Sequence, residues 1–234
     1  MLTLLSFLKF GKLAATVGTM LLSIAVYALA FGWRFAAGFI ALIFVHEMGH
    51  YIAARQRGLS VGAPIFIPFV GAYITLKDQP HDVETEAYVA IAGPIVGAFG
   101  AFAAYYLARS EDSVLLLAIS YAGFFLNLFN LLPISPLDGG RITAIVSPRI
   151  WLLGAPLMVV AFLCYPSPMF VLIAIAAFPK MRQAWNYDPR SAQNLAYYQV
   201  ATKTRVEYAL LYLTLTLVLA AMTYSVHGLL VGVR

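Results

Sequence analysis

The chain has 234 residues, 62% of them hydrophobic and only 11% charged, with a mean hydropathy of +0.84 and a net charge of +5. An ordinary soluble domain carries roughly 45–50% apolar and 25% charged residues, so intrinsic disorder and a soluble globular fold are excluded, leaving one integral membrane domain over residues 1–234. Cys164 is alone in an apolar run, which excludes a disulfide framework and predicts a buried, inert thiol. The basic residues follow the membrane boundaries and form no nucleic-acid patch.

A spanning helix needs about 20 mostly apolar residues. Such stretches run over Ala14–Trp33, Ala87–Ala108, Ser113–Leu132 and Tyr208–Val226, and Phe35–Ala54 is equally apolar except for His46, Glu47 and His50. Trp151–Phe178 contains Pro156, Pro166 and Pro168, and reads as one kinked helix or as a hairpin turning at Tyr165-Pro166-Ser167-Pro168. With the N-terminus inside, the hairpin leaves only Arg34, Arg109 and Arg234 of the fifteen basic residues outside; a single crossing splits them eight to seven. The charge rule therefore favours the hairpin and about six transmembrane segments. The first span reads as a retained anchor, with a cleaved signal peptide ending near Ala28-Leu29-Ala30 as the alternative.

Val61–Leu76 is uncharged but broken by Gly62, Pro64, Pro68 and Gly71. It is too short to span and reads as a small β-hairpin dipping into the membrane, where protein or a water-filled cavity must cover its open strands. Lys180–Glu207 reads as a cytosolic loop. The expected fold is thus an all-α polytopic membrane protein carrying one small β-hairpin.

His46-Glu47-Met48-Gly49-His50 is an H-E-x-x-H pattern. On a helix, the i, i+4 spacing puts both imidazoles on one face, where they can bind one Zn²⁺, with Glu47 beside them to take a proton from metal-bound water. A charged residue at mid-helix depth costs about 2.5–3.5 kcal/mol on insertion scales, which argues against a chance match. A catalytic zinc takes three protein ligands and keeps one position open. His46 lies about 13 Å of helix from Arg55, inside the membrane and towards the cytosolic face. At that depth the acid embedded in apolar sequence is Asp138, after Asn130-Leu-Leu-Pro133-Ile-Ser-Pro136-Leu137. Asp138 reads as the third ligand, the alternative being a turn residue that caps the next helix.

Other polar residues read more plainly. His81, Asp78, Asp82, Glu84 and Glu86 belong to an aqueous connection, and His227 lies on the far side. Asn127 needs a helix-to-helix hydrogen bond, while Asn130, beside the site, reads either that way or as a contact for a substrate backbone. Gly93-Pro-Ile-Val-Gly97 is a small-residue face suited to close helix packing.

His46-Glu47-Met48-Gly49-His50, Gly123-Phe-Phe-Leu-Asn127, Asn130 to Gly140 and Ala92-Gly93-Pro94 together resemble the site-2 protease family of intramembrane zinc metalloproteases, in a compact form without a PDZ or CBS domain. The resemblance covers Phe35 to about Ile142 and implies a catalytic core over about 35–142, with accessory helices over about 150–234. It implies one zinc per chain on His46, His50 and Asp138, Glu47 as catalytic base and acid, and Asn130, Pro133 and the hairpin around Gly71 as contacts for an unwound substrate. The function it implies is cleavage of transmembrane segments of membrane proteins in a bacterial cytoplasmic membrane, N-terminus and active-site side cytosolic, with a regulatory membrane partner as a further expectation. The alternative is a non-catalytic zinc-containing membrane protein that binds transmembrane clients. An aspartyl protease needs two membrane aspartates, a serine type needs a base beside an activated serine, and a metal transporter needs ligands strung across several spans. None of these patterns is present in the sequence.

Overall fold

The computed structural model describes residues 2–76, 78–164 and 166–232, with side chains from residue 14 onward except at 76. Lys77, Tyr165 and Arg234, and the side chains of Lys9 and Lys12, lie outside that description. The chain forms α1 (Leu2–Phe31), α2 (Trp33–Gln56), β1 (Val61–Ile67), β2 (Gly71–Leu76), α3 (Val83–Ser110), α4 (Val114–Asn130), α5 (Asp138–Thr143), a 3₁₀ turn (Pro148–Ile150), α6 (Trp151–Cys164), α7 (Pro168–Trp185), α8 (Ala192–Tyr197) and α9 (Thr202–Gly232).

Local chemistry sets these boundaries. Asp82 caps α3 by accepting from Thr85 N–H, Ser113 caps α4 through Leu116 N–H, and Ser167 caps α7, which opens on Pro168. Gly32, at φ 80°, separates α1 from α2. Among the described residues four helices are long and apolar enough to cross a membrane: α1 from Ala14, α2, α3 and α9. The helix α4 is apolar but has 17 residues, about 25 Å at 1.5 Å per residue. Residues 151–185 form two helices packed against each other, so the hairpin reading holds over the single kinked helix.

At the centre of the molecule α2, α3 and α4 pack together, with α9 against α4 and α1 against α2. Half of the apolar stretch of α3 is buried inside the protein, against 11% for α1 and α9, which marks α3 as central and the other two as lipid-facing. Small residues make this possible: Ala90, Ala98, Ala101 and Ala108 of α3 pack with Leu117, Phe124, Leu219 and Val226. Phe124 is fully buried and meets Phe102 edge-on at a centroid distance of 4.9 Å.

The expected hairpin is present as an antiparallel pair, with Pro64 opposite Ile74, Ile65 opposite Tyr73 and Phe66 opposite Ala72. It rests on α1, because Thr16 donates to Pro64 C=O at 2.8 Å and Thr19 accepts from Phe66 N–H at 3.2 Å. Hence β1 is covered by α1, and β2 is the open edge.

Two expectations are corrected. Cys164 is exposed at the end of α6 beside exposed Phe162 and Leu163. An apolar run in a membrane protein can face lipid, so apolar sequence does not imply burial within the protein. Lys180–Glu207 is not a loop throughout. The helix α7 continues to Trp185, α8 forms at 192–197 and α9 starts at Thr202. The connections are tied down by Arg205, which donates to the carbonyls of Val146 at 2.8 Å, Tyr198 at 2.7 Å and Val200 at 3.4 Å. The central packing yields a prediction: Phe124→Ala lowers stability by about 3–5 kcal/mol, read as an earlier unfolding midpoint of the purified chain in detergent.

Candidate metal centre

The H-E-x-x-H segment lies in the middle of α2, and His46, Glu47 and His50 are all buried. They line a cavity of about 430 Å³ closed by residues 70–74 of the hairpin, by Leu126, Phe129 and Asn130 of α4, and by Pro136, Leu137, Asp138 and Arg141. Asp138 is the first residue of α5 and makes no capping hydrogen bond, which removes the capping alternative. Its Oδ2 lies 3.2 Å from Nε2 of His46 and 3.2 Å from Nε2 of His50, and the two Nε2 atoms are 3.1 Å apart.

The far sides of the two rings decide what these atoms are. Asn127 donates through Nδ2 to Gly123 C=O at 2.8 Å, so its Oδ1 is the end that meets His46 Nδ1, at 2.8 Å. An amide oxygen only accepts, so His46 Nδ1 carries the proton. His50 Nδ1 donates to Val89 C=O at 2.8 Å for the same reason. Each ring thus spends its Nδ1 proton outward and turns Nε2, the atom that bears the lone pair of the neutral ring, to a carboxylate oxygen. Three acceptors in a triangle of 3.1, 3.2 and 3.2 Å repel one another unless a cation lies among them. Tetrahedral ligands at 2.0–2.1 Å from zinc are separated by roughly 3.3 Å, so the donor set fits such an ion in chemistry and in size.

Space for this arrangement comes from glycines. A Cβ at Gly93 would overlap the His50 ring, and one at Gly97 would overlap the Asn127 amide. The small-residue face of α3 does provide close packing, and its particular use is to house these two side chains. Gly139 and Gly140 let α5 lie on the backbone of residues 131–135, which aims Asp138 at the histidines.

Of the other expected site residues, Asn130 and Gly71 line the cavity. Asn130 donates to Leu126 C=O at 3.1 Å, which leaves its amide oxygen available, and Gly71 takes φ 114° at the start of β2. Pro133 is not at the site. The chain turns between residues 131 and 137, so Pro133 faces α6 and an apolar pocket against α9, and Pro136 lines the cavity in its place.

The open edge of β2 faces the same cavity. Pro64 C=O and Phe66 N–H point at α1, away from β2. In an antiparallel ladder the residues opposite them, Ile74 and Ala72, then turn their own N–H and C=O outward. Both line the cavity.

Sequence reasoning assigned Glu86 to an aqueous connection and passed over Arg141. The two are joined: Arg141 Nε donates to Glu86 Oε1 at 3.3 Å, and Tyr197 O–H donates to Glu86 Oε2 at 2.6 Å. The signal available was Arg141 itself, a cation three residues after Asp138 beside apolar sequence.

Removing the lock on His46 has a defined outcome. Asn127→Ala weakens zinc binding by about 10–100-fold, the usual cost of losing a hydrogen-bond partner of a ligand, and Gly93→Ala displaces His50 and abolishes stoichiometric binding. Competition with a chromophoric chelator measures both.

Residues 34–112 match the family model described as Peptidase family M50. Rip3 of Mycobacterium tuberculosis is 30% identical over 123 residues, covering 47% of this chain and 31% of Rip3. The protein named zinc metalloprotease MJ0392, from Methanocaldococcus jannaschii, is 30% identical over 117 residues, covering 47% of this chain and 33% of that one. The chain thus spans about a third of the length of these relatives. The solved structure titled Site-2 Protease from Methanocaldococcus jannaschii aligns at 21% identity and a TM-score of 0.48, over 74% of this chain and 89% of that one. The segment that holds the H-E-x-x-H helix is thus similar to peptidase family M50, and about half of the chain is similar to relatives named zinc metalloproteases.

Proposed function

We propose that the protein is a zinc-dependent endopeptidase that cuts transmembrane segments of other membrane proteins. The observation that carries this reading is the triangle of lone pairs beside buried Glu47, in a cavity whose other wall is an open strand edge. His46, His50 and Asp138 would hold one zinc ion, which would supply a water of pKa about 7 and polarisation of the scissile carbonyl. Glu47 takes the proton of the attacking water and returns it to the leaving amine as the C–N bond breaks.

A helical peptide bond is shielded by its own hydrogen bonds, so the substrate must unwind. The unwound stretch pairs with the outward N–H and C=O groups of Ala72 and Ile74, as an added strand does. Asn130 accepts from a backbone N–H freed by unwinding, and Gly71 lets the chain pass close to the hairpin tip. The catalytic core is residues 35–142, and the helices from about 150 onward are accessory.

In the membrane we assign six segments, α1 to α4, α6 with α7 as a short hairpin, and α9, with the N-terminus and the active-site side cytosolic. The charge distribution supports the orientation, and the resemblance to the site-2 protease family supports a bacterial cytoplasmic membrane. Transmembrane proteins are the substrates, the lipid bilayer is the surrounding medium, and a membrane partner supplies regulation.

The decisive comparison is between wild type and Glu47→Gln. The substitution keeps zinc bound and abolishes cleavage. Profiling protein N-termini in membranes of expressing cells then shows termini inside transmembrane segments with wild type alone. Identical profiles from two zinc-loaded proteins would overturn the protease reading in favour of a client-binding protein.

A further inference from the structure

Asp138 uses Oδ2 for the two histidines, and its other oxygen, Oδ1, faces Arg141 Nη1 at 4.0 Å. Arg141 lines the cavity, is 22% exposed, and is anchored through Nε on Glu86, at the start of α3. Glu86 is in turn held by Tyr197, the last residue of α8. Burial and the neighbouring Glu86 carboxylate raise the Tyr197 phenol far above its ordinary value, and the same two causes push Tyr198 up to about 12. Tyr197 therefore keeps its proton and remains a donor across the physiological range. Both Glu86 oxygens are occupied, one by each partner, so neither contact can shift without disturbing the other.

We propose that Arg141 is a positioning residue for Asp138, and that Tyr197 holds it in place through Glu86, so that α8, far outside the segment shared with the family model, is a working part of the metal centre. The inference rests on the reading of Asp138 as a metal ligand. The physical reason is geometric. Asp138 sits on a six-residue helix whose Gly139, Gly140, Ile142 and Thr143 are buried, which places its backbone but leaves the rotamer of its carboxylate to the groups around the side chain. A guanidinium on the oxygen away from the histidines supplies that constraint, and it also offsets the negative charge of Asp138 in an apolar setting. A lone arginine on a four-bond stem would lose much of that effect to its own mobility. Glu86 holds its Nε, and Tyr197 holds Glu86.

The test uses the full chain in detergent, with zinc and cobalt alone as probes. Dissociation constants come from competition with a chromophoric chelator, and the visible d–d spectrum of the Co²⁺-loaded protein reports ligand geometry. Arg141→Gln weakens zinc binding by about 10–100-fold and shifts the cobalt bands. Arg141→Lys keeps the charge but cannot serve Glu86 and Asp138 together, so it restores only part of the affinity. Tyr197→Phe deletes one hydroxyl, conserves the ring's packing, and shifts the same bands in the same direction with a smaller loss. The double variant Tyr197→Phe/Arg141→Gln is no weaker than Arg141→Gln alone, because both act along one chain of contacts. Unchanged affinity and spectrum in Arg141→Gln would overturn the positioning role, and so would additive losses in the double variant. An unaltered spectrum in Tyr197→Phe would remove α8 from the scheme. A folded wild type that takes up neither metal would defeat the metal reading itself, a result distinct from any of these.

Discussion

Three lone-pair atoms brought within 3.1–3.2 Å of one another, inside apolar surroundings, are the constraint on which the rest of this structure depends. Left alone, such a cluster would push apart or recruit a proton. It is held by groups that face the other way: Asn127 and the Val89 carbonyl each accept the Nδ1 proton of one ring and so turn the Nε2 lone pairs inward. Burial strengthens every one of these contacts, because a hydrogen bond in a low-dielectric interior has no competing water. The repulsion among the three inward atoms grows for the same reason, and a divalent cation bound there would relieve it.

Helix packing is arranged around that requirement. An imidazole and an amide must fit between α2, α3 and α4 without separating them, and the places where they fit are those where α3 carries glycine in place of a side chain, at Gly93 and Gly97. Any larger residue there would overlap the His50 ring or the Asn127 amide and force it to shift. Further along, Ala104 of α3 packs with Leu42 of α2 and Ile119 of α4, while other alanines of α3 pack on α4 and α9, so the hydrogen bonds to the rings and the triangle of inward atoms are set by the same contacts that hold the bundle together.

Much of this was legible in the sequence for stated reasons. Apolar runs of about 20 residues locate the long helices by simple length, and proline and glycine spacing at Val61–Leu76 excludes a spanning helix and leaves a hairpin. The H-E-x-x-H spacing fixes two imidazoles on one helical face. What failed was inference from apolar character to burial, as at Cys164, because lipid is as apolar as a core. Inference from polar character to a solvated loop failed too, as at Glu86 and across 180–207. A polar stretch folds when its carbonyls find a donor such as Arg205, and that pairing spans elements distant in sequence. Pro133 and Pro136 are equivalent on paper, and only the direction of the turn between 131 and 137 separates the one that lines the cavity from the one that faces away.

By itself the sequence determined the helical membrane architecture, the paired histidines and the acid between them, because helical period and span length are local properties of the chain. Only the tertiary structure decided that Asp138 turns to the histidines and does not cap its helix, that Asn127 reaches His46, and that the open edge of β2 faces the cavity. The same holds for the path from Arg141 through Glu86 to Tyr197. Each of these depends on contacts between residues tens of positions apart, and those distances are set by how the helices pack, which no local pattern records.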